Sequence, residues 1–261
     1  WGQLRQLALD RVQAGEFARR WDYVIVDEAQ DLPPVALALC VELCRDPGGL
    51  FLTADANQSL YNRGFRWRNV HDQLQVTGRT RILRRNYRST RQIAQAAAEL
   101  LAGLEEADRQ AVQQEYVHAG PPPVLYAADG AADQARWLAT QILGAARVLR
   151  LPVNAAAVLV PSNSLGPPLA ERLTAQGVPA QFMRGRDLEL ESSGVKVMTL
   201  HAAKGLEFPI VAVAHVEADR LPKETTATDP EDLQEYLDNQ RRIFYVGCTR
   251  AMRYLFVTYD R

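Results

Sequence analysis

Short β-branched and aliphatic runs alternate along this chain with longer stretches in which apolar positions recur every three or four residues. "WDYVIVDE" (21–28) predicts a buried strand, and "PPVALALCVELC" (33–44) a helix with proline in its first turn. "GLFLTAD" (49–55) predicts the next strand. "STRQIAQAAAELLAG" (89–103) predicts a helix capped by Ser89, with Gln92 completing a capping box and Gly103 ending it. A soft region at 104–122 closes on "GPPP". Beyond it come strands "PVLYAA", "AAAVLVPS", "VPAQFM", "VKVMTL" (195–200), "PIVAVAHV" (209–216) and "YLFVTY". Helices fall between them over 131–149, 167–176 and 230–247, the second stopped by Gly177 and the first built around Trp137, Leu138 and Ile142. Strands alternating with helices predict an α/β fold with parallel sheets, divided near 78–90 into segments 1–83 and 84–261.

Composition narrows this picture little. A chain of 261 residues with 47% hydrophobic and 23% charged residues has the make-up of an ordinary globular protein. A net charge of −1 gives no global argument for nucleic acid. No apolar run is long enough to span a bilayer and no signal peptide opens the chain, so no membrane partner and a cytoplasmic location are expected. Cys40, Cys44 and Cys248 lack zinc-type spacing and read as buried thiols. Among 30 basic residues only Lys196, Lys204 and Lys223 are lysines. Arg79, Arg81, Arg84, Arg85, Arg88 and Arg91 crowd one stretch, for which a solvated basic face is the plainer account.

Chemistry gathers at the strand ends. In parallel α/β folds ligands bind at the carboxyl ends of the strands, where "YVIVDEAQDLPP" places Asp27 and Glu28. A strand-end Asp can hold Mg²⁺ through water, and a neighbouring Glu can activate a water for attack on a γ-phosphate. Strand-end acids are common, so the pair alone decides nothing. "LTADANQSLY" (52–61) adds Asp55 and Gln58 after the next strand, and "RRNYRST" (84–90) an arginine beside a tyrosine before a helix. "VMTLHAAKGLEFPIV" (197–211) and "NQRRIFYVGCTRAMRYLFVTY" (239–259) complete the series.

In this order, "DEAQD", "NYRST", "TLHAAKGLEF" and "YVGCTRA" resemble the UvrD/Rep family of superfamily 1 DNA helicases, from the Walker B strand to the last helicase motif. The resemblance covers nearly the whole chain. It implies RecA-like (P-loop NTPase-type) lobes: the C-terminal part of a truncated first lobe in 1–83 and a complete second lobe in 84–261. It implies ATP and Mg²⁺ as cofactors, with Asp27 on the metal, Glu28 as base and Gln58 as γ-phosphate sensor. Tyr87 would stack on adenine, Glu207 would meet the ribose or its surroundings, and Arg88 and Arg250 would be arginine fingers. The acids of one lobe and the arginines of the other are expected to serve one nucleotide.

For single-stranded DNA, or its junction with duplex, the resemblance points to Tyr61 as stacking aromatic. Thr199, His201 and Lys204 would touch the strand or couple it to ATP. Single strands are held by aromatic faces and by donors along the phosphates. The family's usual aromatic two residues beyond Tyr61 is Arg63 here, so Phe65 and Trp67 become candidates for that role. They could equally form a packed corner. Trp137, on a helix face, reads as core.

Two further features depart from the family's full pattern. Only "RGRDLELESSG" (184–194) stands where a large accessory subdomain is inserted, so that subdomain is expected to be missing. No GxxxxGK[ST] phosphate cradle occurs in the 261 residues. A missing N-terminal part of the same protein is therefore an expected partner, and this chain alone is expected to bind MgATP weakly without turnover. The resulting reading is the C-terminal part of a 3′-to-5′ DNA helicase or translocase. Its rivals are a non-catalytic helicase-derived module and the motor part of a helicase–nuclease.

Overall fold

The computed structural model describes residues 2–17, 20–54, 81, 83–102, 104, 115–184, 191–226 and 229–261. Two compact units divide the chain, Trp1–Leu83 and Arg84–Arg261.

In the first unit, α1 (Gly2–Gln13) packs on α2 (Pro34–Leu43), and β1 (Val24–Val26) pairs in parallel with β2 (Leu50–Leu52). Pro34 occupies the first turn of α2, where a missing N–H leaves no helical bond unmade. Val26, Ala29 and Leu37 form the centre of the core, with Val24, Leu32, Cys40, Leu50 and Leu52 around it. The expectation of a strand buried on both faces needs correction. Side chains alternate across a strand, and β1 buries only the face bearing Val24 and Val26. Tyr23 and Ile25 point the other way, Ile25 at 76% exposure, and Phe51 lies opposite Ile25 in the register at 63%.

The second unit is built on a six-stranded, wholly parallel sheet in the order β5-β10-β9-β6-β8-β7. Its strands are β5 (Val124–Ala128), β6 (Ala156–Val160), β7 (Ala180–Phe182), β8 (Val195–Thr199), β9 (Phe208–Val213) and β10 (Ala251–Asp260). Every residue of β6 is buried, as a central strand covered on both faces requires. Val158 and Val160 pack with Leu138 and Ile142 of α4 (Ala131–Leu149) and Leu169 and Leu173 of α5 (Gly166–Ala175). Leu159, between them, faces α6 (Pro230–Cys248) on the opposite side. Gly177 follows α5 with φ +80°, the left-handed conformation that ends many helices. Trp137 is partly buried against the core, stacked on Tyr126 at 4.4 Å and edge-on to Phe256 at 5.8 Å.

One strand pair escapes the sequence pattern. β3 (Arg85–Thr90) runs through "RNYRST" and pairs in parallel with β4 (Glu115–His118), inside the region read as soft. The helix that follows, α3 (Arg91–Glu99), is capped by Thr90 and not by Ser89: Thr90 Oγ1 accepts from Ile93 N at 3.4 Å. Gln92 takes no part in a capping box; its Oε1 accepts from Gly120 N at 2.9 Å. The strand carries on through Ser89, so the chain turns helical one residue later than its composition suggests. Gly103 lies outside the described residues.

Candidate active site and nucleic-acid interface

Asp27 and Glu28 leave β1 in a turn braced from the neighbouring strand. Thr53 N donates to Val26 O and Ala29 N to Thr53 O, both at 2.9 Å, so one residue beyond β2 holds the turn from either side. Asp27 Oδ1 accepts from Glu28 N at 3.0 Å and from the Thr53 hydroxyl. Glu28 adopts φ 51°, ψ 41°, a left-handed conformation that costs a non-glycine residue about 1–2 kcal/mol. Its Oε2 accepts from the side-chain amide of buried Gln30. Backbone strain of this kind persists only where the surroundings enforce it, and it concentrates at functional sites.

In the second unit Thr199, His201 and Lys204 lie at the carboxyl end of β8, Glu207 and Arg250 immediately precede β9 and β10, and Tyr87 and Arg88 lie within β3. Asn86 Oδ1 accepts from Arg88 N at 2.9 Å and Ser89 N at 3.1 Å, which bends β3 and shifts its register against β4. Arg253 of β10 donates to Arg88 O at 2.9 Å, fixing the backbone from the opposite side. With its main chain held, Arg88 directs its Nε to Glu207 Oε1, and both side chains remain about two-fifths exposed. Tyr87 is 60% exposed. Arg85 pairs with Glu115 at 3.0 Å; its pKa is raised by that bond and then by a hydrogen bond with Tyr87.

Arg250 behaves differently. It is 1% exposed and its fork is spent on the protein itself: Nε donates to Val246 O at 3.0 Å, one Nη to Leu206 O at 3.5 Å and the other to Thr249 Oγ1 at 3.3 Å. In the turn that follows β8, Thr199 Oγ1 accepts from Ala202 N at 3.2 Å and Lys204 N donates to His201 O at 3.3 Å. His201 reaches solvent, yet burial of part of its ring, and after that the Lys223 charge, hold its pKa below the ordinary value.

The comparisons bear directly on this arrangement. Residues 4–80 match the UvrD/REP helicase N-terminal domain, and residues 82–191 and 183–261 match the UvrD-like helicase C-terminal domain. The chain belongs to the UvrD-like helicase family. It is 26% identical over 251 residues to a "Probable DNA helicase" of Mycoplasma pneumoniae, covering 92% of this chain and 44% of that protein. It is 34% identical over 184 residues to the ATP-dependent DNA helicase UvrD1 of Mycobacterium tuberculosis (strain H37Rv), covering 65% of this chain and 23% of that one. The chain thus spans less than half the length of these curated relatives. Among solved structures, the C-terminal domain of a possible DNA helicase from Lactobacillus plantarum WCFS1 aligns with TM-score 0.48 and 21% identity. That alignment covers 67% of this chain and 88% of that one.

Within this UvrD-like chain, the structure brings together Asp27 with Glu28, Arg88 with Glu207, and Thr199 with His201 and Lys204, each group inside one unit. Gln58, Tyr61, Phe65 and Trp67 lie outside the described residues. Sequence reasoning missed Thr53, Gln30 and Arg253. A hydroxyl one residue past a strand parallel to β1 was the available signal for Thr53. Gln30 and Arg253 act through tertiary proximity, which no local pattern encodes.

The donor set at Asp27 suits Mg²⁺. Among the described residues no group of three or more His, Cys, Asp and Glu side chains could cage a metal. Magnesium instead takes one or two carboxylates, retained waters and substrate phosphates, and Asp27 offers an exposed carboxylate with Oδ1 already oriented. No helix among the described residues is long and apolar enough to cross a membrane.

Proposed function

We propose that this chain is the C-terminal part of an ATP-dependent DNA helicase that moves 3′ to 5′ along single-stranded DNA. The observation that carries the reading is the strained, doubly braced Asp27–Glu28 turn at the end of a parallel strand, in a chain of the UvrD-like family. Bound Mg²⁺ would neutralise charge on the nucleotide phosphates. Asp27 positions the ion's water shell, and Glu28 orients a water and takes its proton. Arg88 offers positive charge to the phosphates once it leaves Glu207, and Tyr87 presents an open ring for the base. Thr199, His201 and Lys204 would touch the DNA strand or couple it to ATP, and Tyr61, with Phe65 and Trp67 as candidates for the same role, would stack on bases. The relatives' printed names support the activity, since one is called a probable DNA helicase and the other an ATP-dependent DNA helicase.

The experiment is ATPase and unwinding by the intact protein expressed from its gene. Turnover stimulated by single-stranded DNA and unwinding of 3′-tailed duplexes are expected, with turnover lost in Glu28→Gln and Arg88→Ala. The 261-residue chain alone is expected to hydrolyse no ATP. An intact protein that grips DNA without DNA-stimulated turnover would establish the non-catalytic module instead.

A further inference from the structure

The turn after β8 and the end of α6 meet at an unusually close contact. A Cβ built on Gly247 would lie 2.3 Å from Leu200 Cδ2 and 3.6 Å from Leu159 Cδ1. Both leucines are buried, and Gly247 is buried on the inner face of α6. Gly247 is the penultimate residue of α6 and does not adopt the positive φ that favours glycine, so the reason for glycine here is space, which Leu200 takes up.

What this contact joins gives it interest. Leu200 sits between Thr199 and His201, with its N–H bonded to Val160 O at 3.0 Å. Three residues beyond Gly247 stands Arg250, whose N–H donates to Gly247 O at 3.2 Å. The same two segments are tied twice more. Arg250 donates through Nη to Leu206 O at 3.5 Å, and Phe208 N donates to Arg250 O at 3.0 Å. Segment 199–208 is therefore fastened to 247–250 by a packing contact at one end and hydrogen bonds at the other. The far end is already held to β6 through the Leu200 N–H, and the Leu200–Gly247 seat ties it to α6 as well.

We infer that Gly247 is a positioning residue: by lacking a Cβ it seats Leu200 on α6, so that Thr199, His201 and Lys204 move as one body with Arg250. This deepens the helicase reading and rests on it for its functional meaning. A displacement of α6 is passed to the DNA-facing turn, and the reverse, because no slack exists between them.

The test uses a size exchange. In the intact protein, Gly247→Ala is expected to lower the ratio of DNA-stimulated to basal ATPase by roughly tenfold, within the usual range for coupling between sites. Adding Leu200→Val, which draws the branch back from the new methyl, is expected to restore that ratio to within about threefold. A second readout needs neither ATP nor DNA. The imidazole titration of His201, followed by NMR in the 261-residue chain, should move towards its ordinary value in Gly247→Ala and return in the double variant. A Gly247→Ala protein that melts earlier but keeps both the ratio and the His201 titration would overturn the inference. So would a double variant that regains its melting temperature without regaining either readout. Absence of DNA stimulation in the wild-type protein would remove the helicase reading, and the His201 titration would then decide the linkage on its own.

Discussion

The guanidinium of Arg88 is paired with the carboxylate of Glu207, and the two residues lie on segments more than a hundred positions apart in the chain. Arg88 owes its backbone position to Asn86 and Arg253, and only its side chain depends on Glu207. The pair is partly open to water, so its contribution to folding is small, about 0–1 kcal/mol. Its effect on anions is another matter, since Glu207 occupies the positive charge that a phosphate would seek. Glu207→Gln is expected to change the melting temperature by no more than about 3 °C. The same variant should bind pyrophosphate more tightly than wild type. Calorimetric titration of both proteins checks this, and equal affinity would show that the pair does not compete with phosphate.

Arg250 makes the opposite prediction. Its removal opens a cavity and takes a donor from the carbonyls of Val246 and Leu206, so Arg250→Ala is expected to destabilise the second unit by about 3 kcal/mol. The melting temperature should fall by about 6–12 °C. Loss of ATPase in that variant then has to be separated from loss of structure, which urea unfolding of the chain does directly. Unchanged stability would mean that the arginine is not held inward in solution.

Stability of the second unit should also decline in mild acid. His215 is buried at φ 61°, beside Glu217 Oε1 at 3.4 Å, with Arg220 on the same carboxylate at 2.7 Å. Burial lowers its pKa most; Glu217 and Asp260 act to raise it and Arg220 to lower it further. A histidine whose folded pKa is depressed binds its proton more readily when unfolded. Its contribution to stability is therefore complete above the unfolded value, about 6.5, and fades as pH falls towards the lower folded value. His201 works in the same sense. His215→Asn, a residue that tolerates positive φ, should flatten this acid limb in melts taken from pH 7.5 down to 5.

The start of α3 offers a local test. Thr90→Ala removes the side-chain acceptor of Ile93 N and should cost about 1 kcal/mol. Ser89→Ala should cost less, because Ser89 Oγ only receives a 3.4 Å contact from Asn86 Nδ2. Urea unfolding of the two variants orders them. The reverse order would restore Ser89 as the cap.

Much of the α/β alternation is legible from the chain, and the reason is burial on both faces. β6 and β9 read as continuous apolar runs because helices cover both sides of the sheet, β8 does so but for Lys196, and the spans of α4 and α6 follow from apolar positions at helical spacing. β3 is illegible for the converse reason. Its "RNYRST" is polar, and it becomes a strand only through pairing with "EYVH" and the Arg85–Glu115 pair across it. At the site, Asp27 and Glu28 are marked as chemistry because acids at a strand end invite it, and Arg88 is marked by the motif in which it stands. The inward turn of Arg250 and the bracing by Thr53 depend on what folds against them. No spacing rule reports that.

The bare side of the β1–β2 pair has a practical meaning for the acids beside it. Tyr23, Ile25 and Phe51 form a greasy shelf, and water in contact with it is released at a gain of roughly 25 cal/mol for each Å² covered. At high concentration this shelf should drive the 261-residue chain to self-associate, a tendency that light scattering would register. Asp27 and Glu28 follow directly on the three-residue strand that carries Ile25, so whatever settles on Ile25 and Phe51 also sets how still the carboxylates are held.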